Sequence, residues 1–132
     1  MADEVVEILE EDELLRRLSP ESHFKSDKKR VTHGALKFGK VYDNALSVHV
    51  RRLLQDPQDV AAILSEDRLW WAIGVFTAGD LMKLGLKVRH DPTDEDYSHA
   101  VVEGDINDEL ADRILGKLTL LKPPGTRPVP TP

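Results

Sequence analysis

The stretch WWAIGVFTAGDLMKLG, residues 70–85, decides the fold class. Its apolar run at 70–77 is typical of a strand that is buried on both faces of a sheet. Thr77 and Asp80 form a helix start that resembles a capping box, and Gly85 fits the left-handed residue that ends a short helix. The stretch therefore predicts a buried strand that passes directly into a short helix.

The sequence after this stretch predicts two more strands and a last helix. Residues 86–104, LKVRHDPTDEDYSHAVVEG, are typical of two strands joined by an acidic loop. Asn107 or Asp105 can cap a helix that runs to about Leu118. Five of the ten residues at 123–132 are prolines, which lack the N–H group that helices and sheets need, and we expect a disordered tail.

The sequence before this stretch predicts two helices and a hairpin. Asp56 and Pro57 mark a helix start. The alternating segment 45–50, ALSVHV, predicts a half-buried strand that pairs with a strand at 31–38. A stripe of apolar residues at the N-terminus favours a first helix, which Pro20 ends.

Together these elements predict one α+β domain over residues 1–122, a mixed or mostly antiparallel sheet with three to four helices packed on it. The chain has 132 residues, 40% hydrophobic and 32% charged, which excludes a wholly disordered protein. No apolar run approaches the roughly 18 residues that cross a bilayer, so we expect no membrane partner. The acidic N-terminus and the lack of cysteine favour a cytoplasmic location.

Charge is segregated along the chain. Residues 1–15 carry seven acidic groups and no basic ones, whereas residues 16–52 carry ten basic groups and three acidic ones. This basic block can form an anion-binding face, or its acidic flanks can neutralise it within the fold. A nucleic-acid partner is the less favoured alternative, because the block has few aromatic residues and the net charge is −6. The candidate anion-binding residues are Lys28, Lys29, Arg30, Arg51 and Arg52.

Four histidines on predicted strands are candidate metal ligands: His33, His49, His90 and His99. Their spacing matches no zinc motif, so neither a metal nor another cofactor is favoured. A different interpretation of His99 is that Asp91 tunes it as a general base or proton shuttle. The alternative without chemistry is that Asp91 orders an Asp-Pro turn and that His99 pins the loop.

Trp70 and Trp71 are candidate interface residues, because exposed tryptophan is common at the centres of protein–protein interfaces. Adjacent residues of a strand face opposite sides of the sheet. One indole would then enter the core, and the other would meet a helix, a partner or solvent. Burial of both indoles beneath helices is the equal alternative.

Several short segments resemble a group of short, mostly uncharacterised bacterial proteins. The resemblance covers about residues 14–104 and implies no established activity. The segments are LLRRLSP at 14–20, ALKF at 35–38, LSV at 46–48, GVFTAGD at 74–80, GLKV and DP within 85–92, and SHAVVEG at 98–104.

A leading arginine, a serine after a strand and a late histidine or glutamate also resemble small ADP-ribosyltransferase-like toxins, which bind NAD. The resemblance implies that Arg16 or Arg17 holds the pyrophosphate and that Ser47 lines the nicotinamide pocket. It implies that Glu103 is the polar catalytic group, and His99 completes the candidate catalytic set. The sequence departs from this pattern because no His-Tyr-Glu or Arg-Ser-Glu set stands in a convincing context.

Three functions follow from these observations. The first is a non-enzymatic interaction or accessory module of a bacterial multi-protein system, with a protein partner or self-association. The second is a small ADP-ribosyltransferase-like or other nucleotide-binding enzyme, and the third is a nucleic-acid or metal-binding module. Convergence of the candidate catalytic residues on one site would favour the second.

Overall fold

The computed structural model describes residues 4–21, 23–24, 31–36 and 45–126. The strands are β1 (Glu13–Leu18), β2 (Ala45–Val50), β3 (Ala72–Thr77), β4 (Lys87–His90), β5 (His99–Glu103) and β6 (Thr119–Lys122), and the α-helices are α1 (Ala78–Lys83) and α2 (Asp108–Lys117). The strands form one sheet in the order β4-β5-β2-β1-β3-β6, and every neighbouring pair is antiparallel.

The predicted fold class, with three to four helices on a mixed or mostly antiparallel sheet, is wrong. The sheet is a six-stranded antiparallel one, and the described residues contain two α-helices, of which only α2 exceeds seven residues. Short 3-10 turns replace the helix predicted after Asp56 and part of the strand predicted at 31–38. None of the helices in the described part of the chain is long and apolar enough to cross a membrane.

The predicted N-terminal helix is wrong because its second half is β1, a central strand of the sheet. The adjacent Leu14 and Leu15 are both fully buried, and they belong to separate apolar clusters on the two faces. A strand that is covered on both faces has no alternation of apolar and polar residues. Its apolar residues therefore resembled an imperfect helical stripe.

The predicted strand at 31–38 and its hairpin with 45–50 are also wrong. His33–Leu36 is a turn of 3-10 helix, and residues 37 and 38 lie outside the described part. β2 pairs instead with β1 and β5. The 3-10 turn buries both Ala35 and Leu36, which pack into two separate apolar clusters of the core.

The helix predicted after Asp56 is replaced by two 3-10 turns, Val60–Ile63 and Glu66–Arg68. Arg51 Nε donates a 2.7 Å hydrogen bond to the carbonyl of Pro57. In an α-helix that carbonyl would accept from the amide four residues later. The arginine therefore takes the acceptor that a first helical turn would need.

From Ala72 onward, the stretch at 70–85 folds as its sequence predicts. β3 passes directly into α1, and the Thr77 hydroxyl accepts a hydrogen bond from the amide of Asp80 at 3.3 Å. Gly85, with φ of +90°, ends the helix in the left-handed conformation that glycine favours. Asn107 likewise caps α2 by accepting from the amide of Leu110 at 2.8 Å.

The sheet has two unlike faces. α1 and α2 cover the first, which carries the main core; its members include Leu14, Leu46, Val48, Phe76 and Val102. On the second face, β1 and β3 contribute a smaller apolar cluster with Leu15, Ile73 and Val75. The same face of β2 and β5 carries Ser47, His49, His99 and Glu103, together with the buried Val101.

The ladder between β1 and β2 is short. In the described residues it pairs Leu14 with Val50 and Leu15 with His49, and no registered pair follows. The ladder between β1 and β3, by contrast, runs through the whole of β1. The next residue of β1, Arg16, reaches β2 with its side chain.

Candidate functional site

Strands β2 and β5 bring four predicted site residues to one face of the sheet. His49 is directly opposite His99 in the ladder, and Ser47 is opposite Val101. Because every second residue of a strand faces the same side, Ser47, His49, His99 and Glu103 share a face. We call this surface the polar face.

A chain of hydrogen bonds joins Ser47, His99 and Asp91. His99 Nε2 lies 3.3 Å from Ser47 Oγ. His99 Nδ1 lies 2.7 Å from the Asp91 carbonyl and 3.4 Å from its carboxylate. Nδ1 faces only acceptor oxygens in these contacts, so it carries the proton, and Nε2 accepts from the hydroxyl of Ser47. This arrangement makes His99 a base in contact with a hydroxyl group.

A second chain lies beside the first and holds His49. Its Nδ1 contacts the Asp96 carboxylate at 2.7 Å, and the His49 and His99 rings meet edge to face, 6.3 Å between centroids. The amide and hydroxyl of Ser98 both donate to the other oxygen of Asp96. Burial alone would raise the pKa of Asp96, but the bonds from His49 and Ser98 lower it well below its usual range.

Glu103 lies at the exposed end of the polar face. Its carboxylate accepts from Arg89 Nε at 2.9 Å, and the same guanidinium lies 3.5 Å from Asp91. Exposed ion pairs of this kind contribute little to stability and exchange readily with other partners. Glu103 is therefore held next to the site but remains available to a ligand.

Arg16 and Arg17 take different positions beside Ser47. Arg16 donates from Nη1 to the carbonyl of Ser47 at 2.9 Å and from Nε to the carbonyl of Ala35 at 3.1 Å. Burial, together with the charge of Arg17, lowers the pKa of Arg16 to about 10. Arg17 follows Leu15 by two residues, and strand alternation places it on the side of the polar face.

The loop at 91–98 supplies most of the partners that sequence reasoning missed. Asp91 was predicted to act with His99, whereas Asp96 and Ser98 were not linked to His49. The signal for them is the density of turn-forming and acidic residues in DPTDEDYS, which predicts a loop but not which histidine it meets. Arg89 was missed because its partner, Glu103, belongs to the neighbouring strand.

His90 does not join the polar face. It is 2% exposed and accepts the amide hydrogen of Val6 at Nδ1, 2.9 Å away. Its Nε2 therefore carries a hydrogen, which it donates to the carbonyl of Tyr97 at 2.7 Å. The side chain of His33 lies outside the described part, and within that part no group of histidine and acidic residues could hold a metal ion.

The basic block is partly neutralised by the acidic N-terminal segment. Arg51 pairs with Glu13 at 3.2 Å, and Arg52 makes 2.7 and 2.9 Å bonds to the two carboxylate oxygens of Asp12. Despite the opposing effect of burial, the bonds from Arg52 and Leu9 lower the pKa of Asp12. The other candidate anion-binding residues, Lys28, Lys29 and Arg30, lie outside the described residues.

Trp70 and Trp71 precede the strand, which begins at Ala72, so the prediction that they face opposite sides of it is wrong. Their rings meet edge to face, 6.2 Å between centroids. The Arg68 guanidinium lies 4.7 Å above the ring of Trp71, and both indoles are half-buried.

No family model, curated protein or solved structure matches this chain. The function is therefore inferred from the geometry of the polar face.

Proposed function

We propose that the protein is a small ADP-ribosyltransferase-like enzyme that binds NAD on the polar face. The observation that carries the proposal is the 3.3 Å contact between Ser47 and His99, with Asp91 behind the imidazole. Glu103 occupies the same face of β5, and Arg16 and Arg17 lie on the strand beside Ser47. Ser47, His99 and Glu103 share one face, and strand alternation places Arg17 on the same side, a grouping that supports an enzyme more than an accessory module.

The position of Ser47 disfavours the other chemistry that a serine, a histidine and an aspartate suggest. A nucleophilic serine usually sits on a sharp turn with free backbone N–H groups beside it. Ser47 lies within β2, between residues that pair with β5. It therefore fits a ligand-binding hydroxyl better than an acyl-transfer nucleophile.

Four side chains on or beside the polar face then have roles in this proposal. Ser47, whose hydrogen is directed to His99, offers oxygen lone pairs to the amide hydrogens of nicotinamide. Arg17 faces the same side and would bind the pyrophosphate, whereas Arg16 is committed to two carbonyls and would position Ser47. Glu103 would stabilise positive charge on the ribose as its bond to nicotinamide breaks. Water or another acceptor forms the new bond to the ribose and loses a proton.

The proposal is tested by measuring nicotinamide release from NAD by chromatography and NAD binding by calorimetry. Glu103→Gln should lower turnover by about 100-fold, because it removes the charge that faces the ribose. Glu109→Gln is the matched control: Glu109 is also exposed and paired with an arginine, Arg113, at 3.0 Å, but on α2. Absence of both NAD binding and nicotinamide release in the wild type would reject the proposal.

A second candidate is a protein-interaction module, for which the exposed leucines Leu69, Leu120 and Leu121 are the supporting observation. Leu120 and Leu121 are adjacent on β6, so they face opposite sides of the strand. β6 is an edge strand of the sheet. Exposed apolar side chains on an edge strand favour a protein partner or self-association. Light scattering of the wild type and of Leu121→Lys, together with a pull-down, tests this candidate. Monomeric masses for both proteins at all concentrations and a pull-down that captures no partner would reject it.

A further inference from the structure

We propose that the N-terminal strap, defined as residues 4–12, positions the Asp91–His99 pair of the polar face by holding the loop at 91–98. The strap itself makes no hydrogen bond to Ser47, His99 or Glu103 among the contacts of the described residues. Its effect on turnover rests on the proposed function, whereas its effect on the geometry of His99 does not.

The strap is firmly attached at its C-terminal end. Ile8 is buried in the main core, and the Asp12 carboxylate accepts from the amide of Leu9 at 2.8 Å while it binds Arg52. The amide of Gly79, at the start of α1, donates to the carbonyl of Glu10 at 2.9 Å. These bonds fix one end of the strap to the body of the domain.

The N-terminal end of the strap makes hydrogen bonds to Tyr97 in the loop and to His90 just before the loop. The hydroxyl of Tyr97 donates to the carbonyl of Glu4 at 2.9 Å. The amide of Val6 donates to His90 Nδ1, and His90 Nε2 donates to the carbonyl of Tyr97. The rings of His90 and Tyr97 also pack edge to face, 4.9 Å between centroids. The strap thereby holds Tyr97 in the loop and His90, the last residue of β4, which directly precedes the loop.

The loop passes this constraint to the site through neighbouring backbone atoms. Asp91 directly follows His90, and its amide donates to the carbonyl of His99 at 2.9 Å. The carbonyl of Asp91 accepts from His99 Nδ1, and the carbonyl of Ser98, next to Tyr97, accepts from the amide of Val50. A shift of the loop would therefore change the partners of the His99 imidazole. Tyr97 and His90 are positioning residues in this scheme.

Tyr97→Phe tests the coupling because it keeps the ring and deletes only the bond to Glu4. Nuclear magnetic resonance would follow solvent exchange of the Val6 amide and of His99 Nδ1–H, each expected to exchange about fivefold faster in the variant. In the NAD assay, kcat should fall about fivefold with KM within about twofold, since a misplaced imidazole affects the reacting geometry more than binding.

Two further variants make the result decisive. Val6→Pro deletes the N–H that binds His90, so it has no amide exchange to follow at position 6, but it should reproduce the faster His99 Nδ1–H exchange and the lower kcat of Tyr97→Phe. Asn107→Ala weakens the cap of α2, far from the strap in the chain, and should leave His99 exchange unchanged. In Tyr97→Phe, faster Val6 exchange without faster His99 exchange would overturn the inference, as would unchanged His99 Nδ1–H exchange in both Tyr97→Phe and Val6→Pro. If the wild type releases no nicotinamide, the proposed function fails while the exchange rates still decide the coupling.

Discussion

The two faces of β2 and β5 differ in the interactions that hold their side chains. On the face under the helices, Leu46, Val48 and Val102 are nearly inaccessible and interact through packing alone. On the polar face, the intervening Ser47 and His49 are held by hydrogen bonds to residues of β5 and its preceding loop. We therefore assign stability to the positions of β2 that face the helices and the proposed NAD binding to the positions between them. Four substitutions test how far these two roles are separate.

The largest effect is expected on the helix-covered face. Leu46→Ala removes a side chain that is 2% exposed in the main core. The loss of packing and the cavity left behind should lower the free energy of unfolding by about 2–5 kcal/mol. Urea denaturation measures this change, and a loss below about 1 kcal/mol would show that the site collapses around the smaller residue.

Asp96→Asn should have the next largest effect, because it removes the charge that holds His49 and Ser98. We expect a loss of about 1–3 kcal/mol at pH 7. The lowered pKa of Asp96 stabilises the fold above the unfolded value of about 3.9, and this contribution is lost as the pH falls through the lower folded value. The difference in free energy of unfolding between the wild type and the variant should therefore shrink as the pH falls. Parallel stability curves for the two proteins between neutral and acidic pH would contradict this assignment.

Ser47→Ala should cost less than about 1 kcal/mol, because Ser47 is half-buried and its bond to His99 is long. The same change should sharply reduce nicotinamide release, which separates it from Leu46→Ala at the adjacent position. Thermal melts and the chromatographic assay on both variants measure the contrast. A Ser47→Ala protein that loses stability but keeps full turnover would reverse the roles assigned to the two faces.

The smallest effect is expected for Arg89→Gln at the exposed end of the polar face. The guanidinium is more than half exposed, so its pairs with Glu103 and Asp91 should contribute at most about 0.5 kcal/mol. Added salt should narrow the difference from the wild type further. A loss above about 1 kcal/mol in urea titrations would show that this end of the face is structural.

The sequence predicted the elements whose signals are local. The capping hydroxyl of Thr77, the capping side-chain oxygen of Asn107 and the left-handed Gly85 act within a few residues, and each is at a position that the pattern offered. β1 was missed because a strand covered on both faces lacks alternation, as Leu14 and Leu15 show. β6 was missed because only its pairing with β3 makes it a strand.

The candidate site was predictable in parts. The proximity of Asp91 to His99 follows from a short loop between adjacent strands, which the sequence indicates. The contact between Ser47 and His99 depends on the register of β2 against β5, a long-range pairing that no local pattern in the sequence specifies. Asp96 reaches His49 through the same register. Residue types were therefore predictable, whereas their partners were not.

The short ladder between β1 and β2 makes the middle of the sheet its mechanical weak point. Backbone pairs run the length of the β1–β3 and β2–β5 ladders, but at the centre they end at Leu15 and His49 in the described residues. Beyond them, the guanidinium of Arg16 acts as a cross-brace between two three-stranded ribbons. A backbone ladder survives almost any single substitution, but a brace made from one side chain does not. Beside Ser47, the hydrogen bond that joins the two ribbons therefore depends on one side chain.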